Sequence, residues 1–240
     1  LYVRGQAFDY NVWAQLGNRG WSYEDVLPYF QKSENFERGS DNFRGKGGLL
    51  NVADMYERHD LIDAFIDAGE ELGYKHNPDY NGAVQDGFGY YQITQRNGRR
   101  ESTARAFLNP AKGRKNLTVE ARAHVTKINF DGKKAVGINY SVDGLEKTEN
   151  ANAEVILCAG ALGSPNILDR SGVGDSSRLT KLVIPTISDL PVVGENLQDH
   201  LNVRTTYECK LPITVNDTLN NWYYRIKMAL QYFVWRRGFM

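Results

Sequence analysis

Val155-Ile156-Leu157-Cys158-Ala159-Gly160-Ala161-Leu162-Gly163-Ser164-Pro165 sets the fold class. Val155 to Cys158 is an unbroken apolar run, the pattern of a strand buried on both faces. Ala159 and Gly160 supply a small-residue turn. Ser164 followed by Pro165 is the pair expected at a helix N-cap and first helical position, with the helix running on to Ser171. A buried strand, a tight turn and a helix start form an α/β unit that brings a helix N-terminus to a ligand. Ser164 reads as a cap and not as a nucleophile, because Asn166 stands where a Gly-x-Ser-x-Gly elbow needs its second glycine.

Upstream of this unit the hydrophobic period is two. Leu117 and Val119 alternate, as do Ile128 and Phe130 up to Asp131-Gly132, a hairpin signal. Val136, Ile138, Tyr140 and Val142 alternate on the return strand, which Asp143-Gly144 ends. Nearer the start the period is helical. Ser22-Tyr23-Glu24-Asp25 resembles a capping box for a helix over Tyr23 to Lys32, with Pro28 expected to kink it or delay its start. His59 to Leu72 is amphipathic, with Leu61, Phe65, Ala68 and Leu72 beside Ile62 and Ile66 on the face expected to be buried, and Gly73 as its left-handed cap. Gly39 to Gly48 reads as loop, and the aromatic-rich stretch Asn221 to Arg237 as helix.

The 240 residues carry 29 basic and 29 acidic side chains, a net charge of zero that argues against a nucleic-acid binder. The 41% apolar and 24% charged fractions are those of a packed domain. Cys158 and Cys209 are too few for a disulfide framework and fit no metal spacing. No apolar stretch approaches the roughly 20 residues that span a bilayer. Leu1 at the first position, with Tyr2-Val3-Arg4 already strand-like, suggests a chain that starts inside a larger fold.

Local motifs leave the chemistry open. Gly-x-Gly-x-x-Gly, a phosphate loop, His-Glu-x-x-His and Cys-x-x-Cys are all absent from the sequence. His59 and His76 read as solvated residues, and neither His124 nor His200 has an evident nucleophile partner. Arg96, Arg99, Arg100 and Arg105 could hold an anion, although a solvated loop and helix start is the simpler reading. Tyr90-Tyr91 and Trp222-Tyr223-Tyr224 could line a pocket, but are read first as packed core.

The motifs taken together resemble the flavin-dependent glucose–methanol–choline oxidoreductases. Gly160 through Gly174 is similar to that family's second signature at its small, Ser-Pro and Ser-Gly-x-Gly positions, and Leu190 through His200 to the segment that follows. Tyr2-Val3-Arg4-Gly5, Gly17-Asn18-Arg19-Gly20-Trp21 and Gly98 through Arg105 occur in the matching order. Tyr207-Glu208-Cys209-Lys210 and Arg170 through Gly174 lean toward the choline dehydrogenase branch and related bacterial alcohol dehydrogenases.

The resemblance implies FAD as cofactor and oxidation of a primary alcohol, choline-like or other, by hydride transfer to the flavin. It implies an α/β architecture: a flavin-binding portion interwoven with a substrate portion on a mostly antiparallel sheet. The expected segments are 1–40 and 86–200 for flavin, 41–85 and 201–240 for substrate. Val125 matches the position whose main chain holds the adenine, where a backbone amide and carbonyl can mimic a base-pairing edge. Ala159 and Gly160 match the turn where small residues let the cofactor approach the backbone. Leu1 and Tyr2 correspond to positions near the flavin ring. None of the chain's histidines aligns with the catalytic one, so no catalytic residue and no metal ligand is assigned, and that base is expected outside this chain. A hydroxynitrile lyase on the same scaffold, or an inactive fragment, are the competing expectations. The implied partners are a small alcohol and an electron acceptor, oxygen or a quinone; the expected location is cytoplasmic or at a membrane periphery.

Overall fold

A computed structural model describes residues 1–236. They divide into two compact units, one built from Leu1–Leu117 with the stretch from Tyr207 onward, the other from Thr118–Thr206.

The first unit opens with helices α1 (Ala7–Gln15) and α2 (Tyr23–Ser33). The capping box predicted at Ser22 is present: its hydroxyl accepts from the Asp25 amide, and the Asp25 carboxylate accepts from the Ser22 amide. Pro28 lies inside α2 without delaying its start. Strands β1 (Glu34–Phe36) and β2 (Leu50–Asp54) follow, and helix α3 (Asp60–Glu71) leads to β3 (Gln92–Arg96) and β4 (Arg99–Arg100). The sheet order is β1-β2-β3-β4, parallel between β1 and β2 and antiparallel across the other two pairs. Val52 and Ala53 on β2 are wholly buried at its centre. A π-helical turn, Ala104–Leu108, runs into the short α4 (Asn109–Ala111).

Helix α3 corrects one expectation. Its buried residues are Ile66 and Gly69, while Ile62, Phe65 and Leu72 are exposed. Gly69 decides the contact line, because a Cβ there would sit 2.8 Å from the Phe88 ring; the close approach turns the helix onto this small residue. His59 is the N-cap, its Nδ1 accepting from the Leu61 amide at 3.2 Å.

The second unit holds the three-stranded antiparallel sheet β5 (Ala123–Asp131), β6 (Lys134–Val142) and β7 (Leu145–Asn150), in that order. Both turn signals produce hairpins. Gly132 has φ +58°, and Asp143 and Gly144 have φ +50° and +83°, the left-handed pair that a tight two-residue turn demands. The second turn therefore leads into a third strand. Leu117 and Val119 lie outside any strand, because no strand among the described residues pairs with them.

Helix α5 (Gly160–Arg170) packs on β5, followed by β8 (Val173–Gly174), α6 (Ser176–Lys181) and β9 (Ser188–Asp189), with β8 and β9 parallel. Two expectations change here. Val155 to Cys158 joins no sheet, and Ile156 is 76% exposed; no other strand among the described residues pairs with this run. α5 starts at Gly160, several residues before Ser164, because Gly160 takes φ +81° and turns the chain directly into the helix. Ser164 reaches back instead, its hydroxyl accepting from the Ala159 amide at 3.1 Å.

The chain then returns to the first unit with α7 (Val215–Asn220) and α8 (Trp222–Trp235), the latter capped by the Asn221 side chain on the Tyr223 amide. Trp222, Tyr223 and Tyr224 are exposed rather than packed core. Arg237, at the end of the predicted helix, lies outside the described residues. Among the described residues no helix is long and apolar enough to cross a membrane.

Candidate functional site

The turn before α5 is shaped for close approach. Ala159 and Gly160 are exposed, and a Cβ built on Gly160 meets nothing within 4 Å, so the mouth of the turn is open. No side chain caps α5 from Ala159. Its first turn carries partial positive charge without a capping side chain, a setting suited to an anionic group.

The Ser-Gly-x-Gly end of α5 is a packing device rather than a ligand contact. The buried Ser171 hydroxyl accepts from the Ile128 amide of β5 at 2.8 Å and donates to the Ile167 carbonyl at 2.5 Å. Gly172 takes φ +84°, and a Cβ there would lie 2.3 Å from the Pro185 carbonyl oxygen. A Cβ on Gly174 would lie 2.1 Å from the Asp169 carboxylate, which pairs with Arg178 at 3.0 Å. These positions fix α5 against β5, and with it the direction of the turn.

Val125 lies on β5, opposite Tyr140, beside a register shift before Lys127. The shift leaves Thr126 without a cross-strand partner, and its hydroxyl bonds the Asn139 carbonyl at 3.1 Å. β5 is an edge strand of its sheet, so backbone groups along it face away from β6. Val125, Ala159 and Gly160 thus share one unit, joined through α5 and β5; Leu1 and Tyr2 belong to the other.

Around Tyr2 the structure places its most buried polar network. The Tyr2 amide donates to the Gln92 carbonyl at 2.9 Å. The Tyr2 carbonyl accepts from Tyr80 Oη at 2.9 Å and Asn81 Nδ2 at 3.0 Å. Asn81 Oδ1 accepts from the Arg4 amide at 2.8 Å. Behind these groups the wholly buried Arg44 guanidinium reaches Glu34 at 2.5 Å, Asp79 at 2.6 Å and Gln92 Oε1 at 2.7 Å, stacking 3.7 Å from the centre of the Phe36 ring. Arg4 adds a second guanidinium to Glu34 at 2.7 Å. Two cations and two carboxylates balance, as burial demands. Burial raises the Tyr2 and Tyr80 phenols above their ordinary values, keeping both neutral. A cavity of about 440 Å³ opens beside Arg4, Tyr80 and Asn81.

A sequence model of the GMC oxidoreductase family matches residues 1–202. The chain belongs to that family. It is 45% identical over 240 residues to an oxygen-dependent choline dehydrogenase of Chromohalobacter salexigens, covering 99% of this chain and 43% of that protein. It is 43% identical over 216 residues to the mitochondrial choline dehydrogenase of Mus musculus, covering 90% of this chain and 36% of that one. The chain spans less than half the length of the curated relatives it matches. Among solved structures, an FAD-dependent oxidoreductase from Chaetomium thermophilum superposes with a TM-score of 0.90 at 31% identity, over 99% of this chain and 44% of that one. Pyridoxine 4-oxidase from Mesorbium loti gives 0.73 at 33%, over 79% and 38%. The fold is therefore the α/β flavin-binding fold of GMC enzymes.

Among the described residues no group of three or more metal-ligating side chains converges. His76, His124 and His200 are exposed, and the His76 backbone forms an isolated bridge with Phe88. The network of Arg4, Glu34, Arg44, Asp79, Asn81 and Gln92 escapes a reading of the sequence. Its members are scattered charged and amide residues, and the only local hint is the turn-forming Asn77-Pro78-Asp79 that presents Asp79.

Proposed function

We propose that these residues form part of an FAD-dependent oxidoreductase that oxidises a primary alcohol, choline-like in class, to the aldehyde. The observation that carries the reading is 45% identity sustained over 99% of the chain with an oxygen-dependent choline dehydrogenase. The open, glycine-led start of α5 supports it, since FAD brings a pyrophosphate that needs outward amides and close backbone approach.

In this reading the Val125 main chain holds the adenine, and Ala159 and Gly160 admit the cofactor at the α5 turn. Leu1 and Tyr2 lie against the flavin ring. Segments 1–40 and 86–200 serve the flavin, and 41–85 with 201–240 serve the substrate. Bound FAD would supply the hydride acceptor. The residues described here bind and orient, and the base that takes the hydroxyl proton is supplied from outside them. Electrons pass on to oxygen or a quinone, in the cytoplasm or at a membrane periphery.

The test is anaerobic addition of choline and a panel of primary alcohols to the flavin-loaded protein. Bleaching of the oxidised flavin band is expected. A flavin that stays oxidised while the protein cleaves hydroxynitriles would overturn the reading.

A further inference from the structure

Tyr2 sits at the end of a relay whose every link is a hydrogen bond between side chains or to the main chain. Arg44 Nη1 donates to Gln92 Oε1 at 2.7 Å, and Gln92 Oε1 also accepts from Asn81 Nδ2 at 3.0 Å. Asn81 Nδ2 donates as well to the Tyr2 carbonyl, while Asn81 Oδ1 takes the Arg4 amide, so one side chain clamps two residues of the segment that precedes α1. Tyr80 is the second jaw. Its hydroxyl accepts from the Gln92 amide at 2.7 Å and donates to the same Tyr2 carbonyl. The third anchor is the Tyr2 amide on the Gln92 carbonyl, and Arg4 Nε reaches the Tyr2 hydroxyl at 3.2 Å. Tyr2 is thus held at its amide, carbonyl and side chain by groups that trace back to the buried Arg44–Glu34 pair.

A short, largely exposed chain segment needs none of this to be stable. Leu1 is 75% exposed and Val3 is 53% exposed, so the segment buries little of its own apolar surface. The fold therefore spends buried charge on fixing where this backbone lies, and not on hiding it. Such a fully satisfied polar network imposes one geometry, where apolar packing alone would tolerate several.

We infer that Tyr80 and Asn81, held in place by Arg44 through Gln92, are positioning residues that fix the Leu1–Tyr2 backbone relative to the flavin ring and so set the flavin's reactivity. The inference rests on the proposed function, which puts Leu1 and Tyr2 at that ring. Neither Tyr80 nor Asn81 is assigned contact with substrate or cofactor; both act through the Tyr2 peptide. A displacement of a reacting geometry by even a fraction of an ångström slows a hydride transfer, and small misplacements carry large rate penalties.

The experiment compares Tyr80→Phe, Asn81→Ala and Gly69→Ala with the wild type, all as flavin-loaded protein. Gly69→Ala crowds Phe88 in the same unit without removing a bond to Tyr2, and so reports what lost stability alone does. Tyr80→Phe keeps the ring and deletes only the hydroxyl, so it folds even where Asn81→Ala does not. The readouts are the visible flavin spectrum, the flavin midpoint potential, the anaerobic reduction rate by choline and the melting temperature. Tyr80→Phe and Asn81→Ala are expected to retain flavin, shift its visible bands and potential, and slow reduction roughly three- to tenfold, with kcat falling more than KM rises. Gly69→Ala is expected to lower the melting temperature with spectrum and potential unchanged. Wild-type flavin properties in both Tyr80→Phe and Asn81→Ala, with only melting temperature lowered, overturn the inference alone. A wild-type protein that holds flavin which no alcohol reduces overturns the functional reading and this inference with it.

Discussion

Replacing Arg44 by methionine removes the central cation of the buried network while keeping most of the apolar stem. Arg44 makes two bonds to Glu34, one to Asp79 and one to Gln92. Without it, Glu34 keeps Arg4 and the Gly45 amide at 2.9 Å. Asp79, part-buried, keeps the Asn81 amide and Gln92 Nε2, both at 3.1 Å, but loses the cation it pairs with, and the cluster of Arg4, Glu34 and Asp79 is left with one excess negative charge. Breaking a buried pair from one side costs about 3–5 kcal/mol, and the surviving partners place Arg44→Met near 3 kcal/mol. At roughly 2–4 °C per kcal/mol for a protein of this size, the melting temperature falls by about 6–12 °C. Glu34→Gln in the same background restores neutrality. In urea unfolding, the double variant should therefore fall short of the sum of the singles by at least ~1 kcal/mol. A single-variant cost below ~1 kcal/mol, or strict additivity, would refute the claim that these charges act as one unit.

Gly172→Ala, whose Cβ would meet the Pro185 carbonyl oxygen at 2.3 Å from a positive-φ backbone, should destabilise the second unit by roughly 2 kcal/mol or more, and an unchanged melting temperature would sink the packing role; Gly174→Ala, which displaces the Asp169 carboxylate from Arg178, should cost less. Ser171→Ala leaves the buried Ile128 amide without its partner and should cost about 1–3 kcal/mol in chemical denaturation. Gly160→Ala meets open space but must adopt positive φ, so about 1 kcal/mol of stability and a measurable share of bound flavin should be lost together; full flavin content would remove that turn from the cofactor site. The carboxyls of Asp175 and Asp217 are held below the usual range, chiefly by hydrogen bonds from the Ser177 and Thr214 hydroxyls. Their stabilisation is complete above the unfolded value of about 3.9 and is lost as pH falls through the lower folded values. Asp175→Asn should flatten that acid-side decline in melting temperature, and an unaltered slope would exclude the cap as its source.

What the sequence made legible was local. The capping box at Ser22, the hairpins at Asp131-Gly132 and Asp143-Gly144, and the glycine end of α3 follow from a few residues each, and the structure keeps them. Failures came where a distant partner decides the outcome. Val155 to Cys158 has strand composition but no pairing strand among the described residues, and α3 turns toward Gly69 because Phe88, far along the chain, lies there. The family was visible in motifs spread from Tyr2 to His200. The buried network was not, because charge balance among Arg4, Glu34, Arg44 and Asp79 exists only once loops separated by tens of residues meet. The structure also gives the Ser-Gly-x-Gly signature a physical basis: a buried hydroxyl and two glycines that leave no room for a side chain.

Under the proposed function, the bound flavin takes a hydride from a primary alcohol. Stopped-flow absorbance of the flavin-loaded protein mixed anaerobically with choline tests it most directly. The expected result is loss of the oxidised flavin band at a rate that saturates with alcohol concentration, and aldehyde formed one for one with flavin reduced. A flavin band that persists through choline and the whole panel of primary alcohols would contradict it.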